Sequence, residues 1–129
     1  MYLIDTDVLI WVLRGNKRYE DLLLNLKDKE PLSISTITIA EVYKNIYPSE
    51  MIKTETILSE FQTWDITSLI AKQAGLYWQQ YRKQLKNLNI TDCLIAATAS
   101  IHDLALVSLN KKHFPMKDIR FLNPQNSTG

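Results

Sequence analysis

Residues 2–13 read YLIDTDVLIWVL. Tyr2 to Ile4 suit a short apolar strand, which ends at Asp5. After Thr6 the pattern suits a helix, with Gly15 placed as its C-cap. The same stretch raises a chemical question. Asp5 and Asp7 stand among Leu, Ile, Val and Trp, where carboxylates are rare unless paired or bound to a cation.

Outward from this stretch the alternation continues. A second helix fits Lys17 to Lys29, with Leu22, Leu23 and Leu26 on one face and Pro31 as its stop. Leu32 to Ser35 suit a second strand. Ile39, Ala40, Tyr43, Ile46 and Tyr47 then recur at helical spacing up to Pro48. Ser49 is placed to cap a helix carrying Ile52, Ile57, Leu58 and Phe61. Thr63 to Ile66 read as a third strand. A long amphipathic helix runs from Thr67 or Ser68 to about Leu85, with Tyr77, Trp78 and Tyr81 on it. TDCLIAATAS is small or apolar nearly all round, so it reads as a buried helix. Ala105 to Ser108 and Ile119 to Leu122 supply the last strands. Strands alternating with helices predict an α/β fold with a small, mainly parallel central sheet flanked by helices. Ligands of such sheets gather outside the carboxyl ends of the strands. That rule brings Asp5, the Ser35–Thr36 turn and Asn110 to one edge.

The 129 residues suit one domain over 1–124, followed by a flexible tail, QNSTG, at 125–129. A hydrophobic share of 46% against 22% charged residues is that of a folded soluble protein. No run reaches the roughly 18–20 apolar residues that span a membrane. The start lacks a basic segment and is broken by Asp5 and Asp7, unlike a signal peptide. The single cysteine, Cys93, excludes an internal disulfide framework and fits a reducing cytoplasm. A net charge of +1 argues against bulk electrostatic binding to nucleic acid and leaves room for a local basic patch. With three glycines there is no phosphate-binding glycine loop, and one Cys with two His gives no structural zinc signature.

Each acid has a plain structural reading beside a functional one. Asp5 suits a cap of the first helix. Asp7 suits a surface or helix-dipole role as well as a site role. Thr38 and Glu41 have the spacing of a capping box, yet Glu41 lies beside the apolar face. Asp92 begins the buried helix, where an aspartate is favoured electrostatically. Together, Asp5, Glu41 and Asp92 start three elements that converge on one sheet edge. Three anions so placed repel and raise a pKa unless a cation neutralises them. Oxygen ligands of this kind suit Mg²⁺ or Mn²⁺.

YLIDTDVLIWVL, ISTITIAEVYKN, TDCLIAATAS and ALVSLNKKHF, in this order, resemble the PIN-domain family, and within it the VapC-type toxins of bacterial toxin–antitoxin pairs. The resemblance covers Met1 to about Pro124. It implies a small α/β domain acting as a metal-dependent endoribonuclease. Asp5, Glu41 and Asp92 match the family's metal-binding acids, with Asp5 exposed at a strand end, and Asn110 matches the asparagine of its T-x-N-x-x-D-F segment as a further catalytic residue. Here that segment reads SLNKKHF, so His113 stands in place of a fourth acid. The loop's lysines make His113 a bystander on this reading, and Asp7 a secondary residue. A divalent ion on the three acids would activate a water and leave a 5′-phosphate and a 3′-hydroxyl. Ser35 and Thr36 suit either a phosphate contact or a cap. Lys111 and Lys112 suit either RNA or plain solvent. The aromatics of the long helix suit either base stacking or the core. The implied partners are an RNA substrate, a cognate antitoxin docked near the helices at 17–29 and 49–61, and a second copy in a homodimer.

Two rivals stand beside this. The strand-then-DxD form also resembles haloacid-dehalogenase-like phosphohydrolases, with Asp5 as nucleophile and Asp7 as acid–base. The missing fourth acid also suits a PIN-like binding module with weakened catalysis.

Overall fold

The computed structural model describes residues 1–122 and Pro124; the tail at 125–129 lies outside the described residues. Within these residues five strands form one sheet: β1 (Tyr2–Ile4), β2 (Leu32–Ser35), β3 (Gln62–Trp64), β4 (Ala105–Val107) and β5 (Arg120–Leu122). Their order is β3-β2-β1-β4-β5, and every pairing is parallel. Tyr2 pairs with Leu32 on one side and with Ala105 on the other.

Among the described residues six α-helices flank the sheet: α1 (Thr6–Leu13), α2 (Lys17–Lys27), α3 (Thr36–Asn45), α4 (Met51–Leu58), α5 (Ser68–Tyr81) and α6 (Ile90–Ile101). Alternate strand residues point to opposite faces, so the strands feed two cores. Leu3 and Leu106 join Tyr77, Tyr81, Ile95 and the α6 alanines on one face. Ile4, Ile34 and Val107 join Val8, Leu9, Leu23 and Leu26 of α1 and α2 on the other.

Local signals explain most boundaries. Gly15 adopts φ +80°, its N–H donates to Val12 and the Asn16 N–H to Trp11, closing α1 in a Schellman turn. Asn16 then caps α2 through bonds to the Arg18 and Tyr19 amides. Ser49 is not the cap expected of it. Pro48–Glu50 form a 3₁₀ turn in which the Tyr47 N–H donates to Glu50 at 2.8 Å, and α4 starts at Met51. β3 stops at Trp64, two residues short of the expected Ile66, because its partner β2 ends at the paired Ser35. α5 ends at Tyr81, although the Leu85 N–H still donates to the Tyr81 carbonyl and carries a last turn to the expected limit.

Candidate active site

The strand order places a crevice. The chain steps outward from β1 through β2 to β3, then crosses back to put β4 on the other side of β1. The connections after β1 and β4 therefore part at their carboxyl ends, where ligands of parallel sheets bind. Asp5 follows β1 there, and Ser108 follows β4. The Ser108 hydroxyl donates to Asp5 Oδ2 at 2.7 Å, and the Thr6 amide donates to Asp5 Oδ1 at 2.8 Å.

Asp5 is therefore not the exposed strand-end acid expected from the sequence. It is the N-cap of α1 and only 6% exposed, because Ser108 closes over it. Burial, then the charge of Asp7, pushes its pKa up to about 8. Asp7 belongs to the same site. Its Oδ2 accepts from the Asn110 side-chain amide at 2.7 Å, the Leu109 N–H at 3.2 Å and the Ser108 hydroxyl at 3.3 Å. Its Oδ1 is buried with no hydrogen-bond partner among the described residues. Burial is the first cause raising its pKa as well. Asn110 thus acts on Asp7, and among the described residues no hydrogen bond joins it to Asp5.

Glu41 arrives from α3. The capping-box reading of Thr38 and Glu41 fails, because Ser35 is the cap and its hydroxyl oxygen accepts from the Ile37 N–H. Thr38 is buried one turn into the helix. The half-buried Glu41 carboxylate instead accepts from the Thr6 hydroxyl at 2.6 Å. Ser35 is wholly buried, so capping accounts for it.

Asp92 is released from capping in the same way. Asn89 caps α6, accepting from the Asp92 amide at 2.8 Å, which leaves the Asp92 carboxylate for the crevice. Its pKa is pushed up to about 6 by burial, opposed by His113 and reinforced by Glu41 and Asp7. His113 lies closer to the acids than expected: its Nδ1 stands 3.6 Å from Asp92 Oδ2, at the 3₁₀ turn Lys111–His113. Lys112 is exposed, while Lys111 lays its ammonium over the Phe121 ring.

Asp5, Asp7, Glu41 and Asp92 thus come from three elements into one another's fields. Among the described residues, no three His, Cys, Asp or Glu side chains converge into a ready-made coordination sphere. The hydroxyls of Ser108 and Thr6 hold two of the carboxylates to themselves. In donor chemistry the group still fits a hard divalent cation: all-oxygen ligands, mutual repulsion and a buried carboxylate oxygen without a partner.

Thr6 and Ser108 were missed by sequence reasoning as functional side chains. Ser108 carried a signal, since it stands at the first position of the T-x-N pattern; Thr6 carried only its place between two aspartates.

Residues 2–121 match the PIN domain. The chain belongs to the PIN-domain family. Within it, the chain is 38% identical over 116 residues to ribonuclease VapC10 of Mycobacterium tuberculosis, covering 90% of this chain and 87% of that one. Identity to ribonuclease VapC19 of the same species is 32%, covering 90% and 94%. Among solved structures, a toxin–antitoxin complex from Klebsiella pneumoniae has 28% identity and a TM-score of 0.79, covering 96% of this chain and 98% of that one. The VapBC2 structure from Rickettsia felis, bound to a promoter DNA fragment, matches at a TM-score of 0.82 over 95% and 97%; at 22% identity it speaks to the PIN fold alone. Membership of this family sets aside the dehalogenase-like reading of Asp5 and Asp7.

Proposed function

We propose that this PIN-domain protein is a metal-dependent endoribonuclease, the toxin of a VapBC-type pair. The observation that carries it is the crevice at the β1/β4 switch point, where Asp5, Glu41 and Asp92 arrive from separate elements. Asp5, Glu41 and Asp92 would hold Mg²⁺, or Mn²⁺. The ion supplies Lewis-acid charge stabilisation and lowers the pKa of the attacking water.

The chain's own residues do the rest. Ser108 and the Thr6 amide fix the Asp5 carboxylate, and Thr6 fixes Glu41, so neither must be ordered during reaction. Asn110 orients Asp7 through a direct hydrogen bond. One of the crevice carboxylates would take a proton from the attacking water. Water attack in line leaves a 5′-phosphate and a 3′-hydroxyl.

The antitoxin has a seat on the opposite face from α5 and α6. A groove of about 320 Å³ runs between α1, α2 and α4, lined by Val12, Leu23, Leu24, Lys53, Ile57 and Phe61. Beside it, α4 leaves Ile52 83% exposed. Apolar surface of this sort suits a partner chain, and we assign it to the antitoxin, with the toxin paired as a homodimer. Among the described residues no helix is long and apolar enough to cross a membrane.

The test is cleavage of a mixed RNA pool by antitoxin-free protein with Mg²⁺, Mn²⁺ or EDTA, beside Asp5→Asn. Cleavage that needs metal and vanishes in the variant is expected. Well-folded protein that cuts nothing under any of these conditions contradicts the reading and favours the binding module.

A further inference from the structure

Between Asp65 and Asp92 the chain carries no acid at all, yet it holds Lys72, Arg82, Lys83 and Lys86. The remainder holds every one of the fourteen acids against eleven cations. The near-neutral net charge of +1 therefore conceals one cationic segment. Three of its cations cluster where α5 ends.

That cluster lies beside the active site. α5 and α6 form an αα-hairpin with a tight reversal: the Gln84 and Leu85 amides donate to Tyr81, and the Leu88 amide to Leu85. Trp64, just ahead of α5, stacks on His102, just past α6, with ring centroids 4.0 Å apart. The helices are thus antiparallel, and the end of α5 meets the start of α6. Asn89, next in the chain after the reversal, is the cap that holds the Asp92 turn.

At this reversal is a shallow pocket of about 390 Å³ lined by Trp78, Arg82, Lys83, Leu85, Lys86 and Leu88. Trp78 is 36% exposed, whereas its helix neighbours Tyr77 and Tyr81 are buried in the core. The Arg82 guanidinium lies 5.0 Å from the Trp78 ring centroid. Among the described residues, none of Arg82, Lys83 and Lys86 has an ion-pair partner. An aromatic face ringed by unneutralised cations is the chemistry that holds a single-stranded nucleic acid, bases on the ring and phosphates on the cations.

We propose that this pocket binds the RNA strand beside the scissile phosphate, guiding it across the reversal onto Asp92. The inference rests on the ribonuclease reading and names the contact that compensates for the repulsion between an anionic strand and an acidic crevice. Trp78 stacks a base, and Lys83 and Lys86 hold phosphates.

The test uses the full chain. An RNA fragment spanning a cut mapped with wild-type protein is labelled, and its binding is followed by anisotropy on an Asp5→Asn background with Mg²⁺, which leaves it intact. Adding Lys83→Ala and Lys86→Ala together weakens binding and lowers the slope of log affinity against log salt by about 1.4, at ~0.7 per phosphate contact on a single strand. Adding Trp78→Ala weakens binding roughly fivefold or more, with little change in that slope. The lysines are exposed, so their removal leaves the fold intact even if Trp78→Ala does not. Unchanged affinity and slope in the lysine variant overturn the proposal. So does normal RNA binding with lost self-association or lost antitoxin binding, which makes the pocket a protein contact. Wild-type protein that maps no cut at all fails the nuclease reading; wild-type protein that cuts while the variants bind RNA equally well fails the pocket alone.

Discussion

Ser108 does more for the site than its size suggests. Its hydroxyl is the only side-chain donor to Asp5 among the described residues, and both groups are buried. Ser108→Ala leaves a buried carboxylate oxygen unpaired, at a stability cost of roughly 1–3 kcal/mol. Loss of the Asp5 orientation is expected to lower kcat by roughly ten- to a hundredfold. Ser108→Thr keeps the hydroxyl and restores most of the rate, which single-turnover kinetics would show. Asp5 itself sets a pH dependence. Its folded pKa, about 8, lies above the ordinary carboxylate value of 3.8, so between these limits the folded state binds the extra proton. Asp92, raised to about 6, acts in the same sense. Metal-free protein should lose stability as pH rises from 4 through 8. Asp5→Asn removes the buried charge, keeps an acceptor for the Thr6 amide and offers a donor to Ser108. It is expected to raise the melting temperature in EDTA, by several degrees at pH 8.5 and by less at pH 5, while abolishing cleavage. A melting temperature that climbs with pH would refute this account of the burial.

At the scale of elements, helix ends were legible wherever one residue decides them. Gly15 was readable as the stop of α1 because a left-handed residue is needed there, and φ is +80°. Nothing lies within 4 Å of where a Cβ would sit, so Gly15→Ala tests backbone strain alone. Thermal melts should show a loss of about 1 kcal/mol. Caps with two candidates were less legible. Thr38 and Asp92 each match a capping pattern, yet Ser35 and Asn89 take those roles. Which polar residue caps depends on where the preceding strand or turn delivers the chain, and that is settled by tertiary packing. The outcome matters for function, since both displaced acids, Glu41 and Asp92, are freed to face the crevice. The approach of His113 to Asp92 was not legible for a related reason. The lysines before it point to solvent exposure, while the 3₁₀ turn that aims its ring at Asp92 has no strong periodicity to announce it.

For the whole molecule, alternation of apolar strands and amphipathic helices was enough to give a parallel α/β sheet. The order β3-β2-β1-β4-β5 was not legible, because nothing local says on which side of β1 the fourth strand will pair. That crossover creates the switch point and brings Ser108 to Asp5 across 103 residues of chain. Three acids were identified from their places at element starts and from the family pattern. Their hydroxyl partners, Thr6 and Ser108, could be assigned only once the sheet was closed. The distribution of charge follows the same logic: an acidic crevice at the strand ends and a basic reversal beside it cancel in the net charge but not in space.

The most direct test of the central claim, hydrolysis by an activated water at the carboxylate crevice, is cleavage of an RNA carrying a single 2′-deoxyribose at the mapped cut. With no role for the 2′-hydroxyl as nucleophile, the substituted strand should still be cut in Mg²⁺ or Mn²⁺, giving a 5′-phosphate and a 3′-hydroxyl. Resistance of the deoxy strand, with a 2′,3′-cyclic phosphate and a 5′-hydroxyl from the unmodified one, would contradict the account.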